Sequence, residues 1–504
     1  MKRSMRRWTM GCVCGSFLGA AGSLAAQEVD FDLALRTVSP FADLPDVAQA
    51  VARDPGDGAI VLGGHFGAES LACSTTRRGF VGKYTRAGEE LWRRVDADDP
   101  GGGLFAGVTG FDPRHVFASD VYGVAVEAAT GDVLVVGEVS LEWMAEEAFV
   151  GERREATGAF VLRFAADGTY LDDAFLGFRP VGPLPPAVPV FGGCLVGGWA
   201  KVEQRGARAV ALTRTGAVVV TGWRQSEFSP DGRDVFAVRL SPGLEVEAES
   251  ALVTPAEDVG TGVAVGASGD VYLTGYQGPA RDVFVARWPA GSLTGAPFQP
   301  VVRGGGAGLD EGRAVAVDGS GRVWVAGVWS DWAQFGDQVL ERPGGEWEIF
   351  VATYDADLAP LWLRDAGGGG KHVAGSLAVD GLGNGYLTGW YRGSAIEFRA
   401  PGADPVGLEA ESAADVYVAR YSPEGRLDWA LSAGGPDPLD EAMAWGIAAA
   451  PLANDVPIAG RLVSQSFVDA FVGGVSEFLF GGARRGAVFD RAYEGGDLQT
   501  VPGE

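Results

Sequence analysis

A single unit recurs seven times along the chain, and no other feature constrains the fold as tightly. Each copy has a short apolar strand, a glycine turn, a second short strand and a closing glycine. In one copy Gly262-Val263-Ala264-Val265 leads through Ser268-Gly269-Asp270 to Val271-Tyr272-Leu273-Thr274-Gly275. In the next, Ala314-Val315-Ala316-Val317 leads through Ser320-Gly321-Arg322 to Val323-Trp324-Val325-Ala326-Gly327. The remaining copies close at Gly64, Gly137, Gly222, Gly389 and Gly460. Six residues before the closing glycine stands a second one (Gly58, Gly131, Gly216, Gly269, Gly321, Gly383), replaced once by Asn454. Glycine and asparagine tolerate the left-handed conformation of a tight turn.

The first strand carries alanine at one fixed position: Ala52, Ala125, Ala211, Ala264, Ala316, Ala378 and Ala448. A small residue is required if this strand is the innermost of a wedge, where neighbouring units converge. A third strand follows, as in Asp282–Arg287, Ile349–Tyr354 and Asp415–Arg420, and a fourth often carries tryptophan (Trp92, Trp362, Trp429). Each unit is thus expected to be a four-stranded antiparallel sheet. The sheets predict an all-β β-propeller of seven blades, with six as the alternative because copies one, two and seven are degenerate.

These units resemble the bacterial β-propeller repeat called SBBP. The resemblance rests on Ala316-Val317-Asp318-Gly319-Ser320-Gly321, Leu387-Thr388-Gly389-Trp390 and Asp415-Val416-Tyr417-Val418-Ala419-Arg420-Tyr421. It covers roughly residues 46–475, implies a propeller in an exported bacterial protein, and implies no defined activity.

The N-terminus reads as a secretory signal over residues 1–26. Lys2, Arg3, Arg6 and Arg7 precede a weakly apolar Gly11–Leu24 stretch, with small residues at Ser23, Ala25 and Ala26 for cleavage. The stretch is too short and glycine-rich for a transmembrane anchor. Residues 27–485 are assigned to the propeller and 486–504 to a tail or closing strand. Phe31–Arg36 resembles a fourth strand and is expected to complete the last blade, with Ala487–Asp490 as its rival. The expected location is secreted, periplasmic or cell-surface.

A net charge of −26 argues against nucleic acid and anionic membranes as partners. Beyond the signal only Cys73 and Cys194 remain, a candidate disulfide in two irregular insertions. The three histidines lie far apart, and phosphate-loop, nucleophile-elbow and HExxH motifs are all missing.

Candidate sites fall on one rim, where strand one begins and strand two ends. Asp46, Asp258 and Asp310 stand six residues before the repeat alanine, Asp120 five and Asp440 eight. An acidic ring there would offer oxygen ligands to Ca²⁺ or a cationic ligand. The plainer account, which we prefer, is that these aspartates cap turns. At the strand-two exits His65, Trp223, Tyr276, Trp390 and Arg461 offer surfaces that stack a sugar or clamp a peptide. The preferred function is therefore non-enzymatic: a module binding a protein, peptide or polysaccharide of the cell envelope. The alternative is a glycan hydrolase or lyase using rim carboxylates.

Overall fold

A computed structural model describes residues 28–37, 47–67, 77–86, 88–96, 103–108, 116–144, 153–180, 199–201, 203–225, 232–342, 346–399, 405–434, 438–449, 455–464, 467–478, 493–494 and 497–498. Among these residues every regular element is a β-strand. Seven antiparallel sheets each contain four consecutive blade strands. In blade 4 these are Val259–Val265, Val271–Gln277, Asp282–Trp288 and Val301–Gly305, ordered from the centre outwards.

The innermost strands of blades 1 to 7 are Val47–Arg53, Val116–Val126, Gln204–Leu212, Val259–Val265, Glu311–Val317, Gly370–Val379 and Glu441–Ile447. Each lies against the innermost strand of the next blade, and that of blade 7 returns to that of blade 1. The ring is a closed seven-bladed propeller. Its last sheet is built from both ends of the chain. The N-terminal strand Glu28–Thr37 pairs antiparallel with Phe467–Phe478, from Glu28 opposite Phe478 to Thr37 opposite Ala470. Ala487–Asp490 lies outside the described residues, as do the signal segment, Cys73 and Cys194.

The repeat residues each have a mechanical reason. All six turn glycines hold a positive φ, between 75° and 89°. The repeat alanine of one blade shares a packed cluster with a larger aliphatic residue from the next blade's inner strand. The pairs are Ala52 with Val124, Ala125 with Val210, Ala211 with Val263, Ala264 with Val315, Ala316 with Leu377, Ala378 with Ile447 and Ala448 with Val51. A small residue packed with a larger one at every joint lets the inner strands converge closely.

Threonine before the closing glycine has its own role. Thr221, Thr274 and Thr388 are buried and donate to the strand-three carbonyls of Phe236, Phe284 and Tyr417 at 2.7, 2.8 and 2.8 Å. The fourth-strand tryptophans latch neighbouring blades together. Trp92 Nε1 donates to the Ala166 carbonyl and Trp362 Nε1 to that of Pro423, both at 2.9 Å. Arg94 and Arg364 follow them onto the Gly168 and Gly425 carbonyls.

Two loops between strands two and three add hairpins to a neighbour. Asp331–Phe335 and Gln338–Arg342, inserted in blade 5, extend the outer edge of blade 4. Ala395–Arg399 and Val406–Glu409, inserted in blade 6, extend blade 5. Each protects a sheet edge that would otherwise be unpaired.

Candidate functional site: a cationic, aromatic channel mouth

Every innermost strand carries a β-bulge, and all seven bulges fall three residues before the repeat alanine. The register slips at Gln49, Tyr122, Arg208, Thr261, Arg313, Gly375 and Trp445. Bulges re-aim side chains and are frequent beside functional sites. They also account for the closing glycines. A Cβ at Gly64, Gly137, Gly222, Gly275, Gly327 or Gly389 would collide with the carbonyl oxygen two residues before the bulge on the facing strand. Val259 supplies that oxygen for Gly275, and Glu311 supplies it for Gly327.

The seven bulge residues ring the upper end of the central channel, in a cavity of about 590 Å³. Below them the cavity meets an aliphatic collar of Val51, Val124, Val210, Val263, Val315, Leu377 and Ile447, the larger partners in the joint pairs above. None of the seven repeat alanines lines it, so the cavity ends at the collar. Its charged lining consists of Arg208, Arg233, Arg281 and Arg313 against one acid, Glu311. A chain of net charge −26 therefore has a locally cationic mouth.

Aromatic faces hold these cations in place. Arg208 lies 4.0 Å from the Tyr122 ring centre, Arg233 4.1 Å from Trp223, and Arg281 4.7 Å from Tyr276. Two cations share the Trp347 indole, with Lys371 Nζ at 3.8 Å and the Arg313 guanidinium at 5.3 Å. Such contacts gain roughly 0.5–2 kcal/mol depending on desolvation. Carboxylates offset part of the charge: Glu311 lies 2.8 Å from Arg281 and 3.0 Å from Arg313, Glu138 2.9 Å from Arg208, and Glu257, outside the lining, 3.4 Å from Arg233 and 3.7 Å from Arg281. Lys371 has no carboxylate within ion-pair distance among the described residues. Burial, reinforced by the neighbouring Arg313 and Arg392 charges, pulls its pKa below the usual lysine range. The Arg313 Nε is buried and makes no hydrogen bond.

The residues singled out in the sequence divide by position. Tyr276 lines the cavity. Trp223 and Trp390 are buried behind the rim, where Trp223 backs Arg233 and Trp390 backs Lys371 and Arg392. Arg461 lies 5.7 Å from the Trp445 ring centre. His65 Nδ1 is 3.0 Å from the amide nitrogen of the bulge residue Gln49 and 2.8 Å from Asp120 Oδ1.

Among the described residues the aspartates form no acidic ring at the mouth. Asp120, Asp258, Asp310 and Asp440 are buried, and none lines the cavity; Asp46 lies outside the described residues. Asp258 accepts from the Gly278 amide and the Thr254 hydroxyl, both at 2.9 Å. Asp310 accepts from the amides of Gly306 at 2.6 Å and Ser330 at 3.2 Å. These are turn-capping bonds that fasten the strand-one entry to the strand-two exit. Burial pushes the Asp310 carboxyl up to about 6. Among the described residues no three His, Cys, Asp or Glu side chains converge as a metal cage.

The bulge residues escaped sequence reasoning because they do not recur. Gln, Tyr, Arg, Thr, Arg, Gly and Trp at one repeat position look like noise between constant neighbours. That variability was the available signal: positions that build the ring repeat, and positions that face its opening are free to differ.

No protein-family model matches the chain, and no curated protein matches it. Solved structures of similar shape include a protein of unknown function from Bacteroides caccae, at 10% identity and a TM-score of 0.35, covering 74% of this chain and 93% of that one. A fungal alcohol oxidase in complex with copper shows 11% identity and a TM-score of 0.35, covering 87% and 92%. Trypanosoma rangeli sialidase shows 8% identity and a TM-score of 0.32, covering 89% and 95%. At these identities and scores no activity passes to this chain.

Proposed function

We propose that this is an exported binding propeller of the SBBP type whose channel mouth takes an anionic group from a protein, peptide or polysaccharide of the cell envelope. The observation that carries the reading is the charge inversion at the mouth, with four arginines and one glutamate lining the cavity of a strongly acidic chain. The cations are pre-positioned on aromatic faces, which lowers the ordering cost of binding. A glycan hydrolase would need two carboxylates flanking a bond. Glu311 is the one carboxylate lining the cavity among the described residues, and Arg281 and Arg313 occupy it. Binding is therefore favoured over hydrolysis.

Titration calorimetry with trigalacturonate, short acidic peptides, neutral maltotriose and short lysine peptides tests the reading. Anionic probes are expected to bind, more weakly as salt rises, and Arg281→Gln and Arg313→Gln are expected to weaken them several-fold. Equal binding of the neutral sugar, or no binding of any anion, would overturn it.

A further inference from the structure

We infer that the mouth recognises the end of a polypeptide chain, holding a C-terminal carboxylate whose last side chain is aliphatic. The inference rests on the anion-binding reading above and narrows its ligand. Three features of the cavity argue for it.

The first is its vertical order of chemistry. Cations and aromatics occupy the rim, while the wall directly below is the collar of Val51, Val124, Val210, Val263, Val315, Leu377 and Ile447. A sugar entering that collar would lose water from its hydroxyls without replacement bonds, which is costly. An aliphatic side chain loses nothing and gains by burial. A C-terminal residue such as valine or leucine carries its carboxylate and its apolar side chain on one carbon, matching rim and collar together.

The second is the arrangement around blade 6. Its bulge residue is Gly375, where a Cβ would meet the Ala444 carbonyl oxygen and the Trp445 backbone. Blade 6 therefore packs backbone to backbone on blade 7 there, and between Arg313 of blade 5 and Trp445 of blade 7 the lining is Gly375 and Ser376, with no bulky side chain from blade 6 at the bulge. Arg313, which lines the cavity, and Lys371, just outside its lining, share the Trp347 face, with the Arg313 Nε unpartnered and Lys371 in no ion pair with an acid among the described residues. One carboxylate placed between them would relieve their mutual repulsion and accept charge-assisted hydrogen bonds from both. Ser376 at the same level adds a hydroxyl, while the Gln49 amide nitrogen and the Thr261 hydroxyl hydrogen are already engaged by His65 and by the Gly312 carbonyl.

The third is charge on the larger scale. A long polyanion lying across the mouth would run off it onto the surface of a chain with net charge −26. A chain terminus brings a single negative charge, and it brings it to the arginine-lined mouth. Salt screens fields beyond about 8–10 Å, so the local mouth dominates for a group that small.

The experiment follows the intrinsic tryptophan fluorescence of the whole protein, since Trp347 and Trp445 line the cavity. The probes are a hexapeptide ending in Leu-Val with a free carboxylate, its C-terminal amide, the same peptide ending in Gly-Ser, an amidated peptide with internal aspartates, and trigalacturonate. The free Leu-Val acid is expected to bind tightest. Amidation should weaken it about ten-fold or more, since a hydrogen-bonded charge is lost, and the Gly-Ser ending should weaken it several-fold. Lys371→Gln should narrow the gap between acid and amide. If amide and acid bind alike, or the internal aspartates bind as well as the terminus, end recognition is wrong. If trigalacturonate binds and no peptide does, this inference falls while the anion-binding reading stands. If no anion binds, both fall.

Discussion

The indole Nε1 of Trp223 donates to Glu138 Oε1 at 2.7 Å, tying strand two of blade 3 to strand two of blade 2. The same oxygen lies 2.9 Å from the Arg208 guanidinium, so one carboxylate fixes both an aromatic and a cation of the mouth. Burial raises the Glu138 pKa, opposed by Arg208 and by the Trp223 bond. Trp223→Phe keeps the ring and removes the donor. It is expected to cost about 1–3 kcal/mol, the range for a buried acceptor that loses a partner. Urea unfolding checks this, and an unchanged midpoint would mean that Arg208 alone satisfies Glu138.

Blade 1 contains a buried ion pair, Lys83 Nζ to Asp54 Oδ2 at 2.6 Å, with both side chains almost out of water. Burial pushes the Asp54 carboxyl up, and the Lys83 hydrogen bond and charge, aided by backbone donors, more than reverse this, leaving its pKa below the usual value. Lys83→Met strands that carboxylate and is expected to cost about 3–5 kcal/mol. The double variant Lys83→Met/Asp54→Leu should recover much of the loss, because an apolar pair replaces a stranded charge. The Asp54 contribution to stability is complete above about pH 4, its unfolded pKa, and fades as pH falls through the lower folded one. Acid unfolding of wild type and the double variant tests the sign.

Glu348 gives the opposite pH slope. It is fully buried between blades 5 and 6, with Oε2 2.8 Å from Arg342, 3.2 Å from the Gly368 amide and 3.4 Å from His372 Nδ1. Burial, only partly countered by Arg342, pushes its pKa up to about 7. The unfolded chain loses this proton near about pH 4.3 and the folded one near 7. Stability therefore falls as pH rises through that window and levels off above it. His372, whose pKa burial lowers, works in the other sense below its unfolded value. Glu348→Gln removes the first effect alone. Its melting temperature relative to wild type should rise between pH 5 and pH 8, by the equivalent of on the order of 2–4 kcal/mol. A flat difference would show that Glu348 is ionised in the fold throughout.

Gly275→Ala places a methyl against the Val259 carbonyl and the Phe284 ring, at a position without room for either to retreat. A loss of about 1–3 kcal/mol or more is expected from overpacking. Gly407, with nothing near its added Cβ, is the matched control, and Gly407→Ala should stay within about 0.5 kcal/mol of wild type. Equal effects at the two positions would remove the bulge as the reason for the closing glycine.

Turn glycines, repeat alanines and Thr-Gly strand ends were legible in the chain because each performs one mechanical task repeatedly, in six, seven and three of the copies. Ala264 must be small to face Val315, and Gly275 must be bare to pass the Val259 carbonyl. The recurring aspartates were legible too, yet recurrence itself marks Asp258 and Asp310 as fasteners that accept backbone amides from the strand-two exits. The mouth was harder to see. Arg208, Arg313 and Trp445 occupy one repeat position with no shared chemistry, and Arg233, Arg281 and Trp347 reach the same cavity from strand-three entries. Only the closed ring brings these residues, spread over more than two hundred positions, to one opening.

That closure has a consequence in time. Glu28 pairs with Phe478, so during synthesis the N-terminal strand of the ring must wait for a partner from the far end of the ring's sequence. Contacts so distant in sequence are slow to form, because the intervening chain must be ordered first. A nascent or truncated chain would be an open arc with a bare sheet edge at each end, poised to pair with a neighbour. The step that seals the seventh blade is then also the step that ends the molecule's exposure to its own copies.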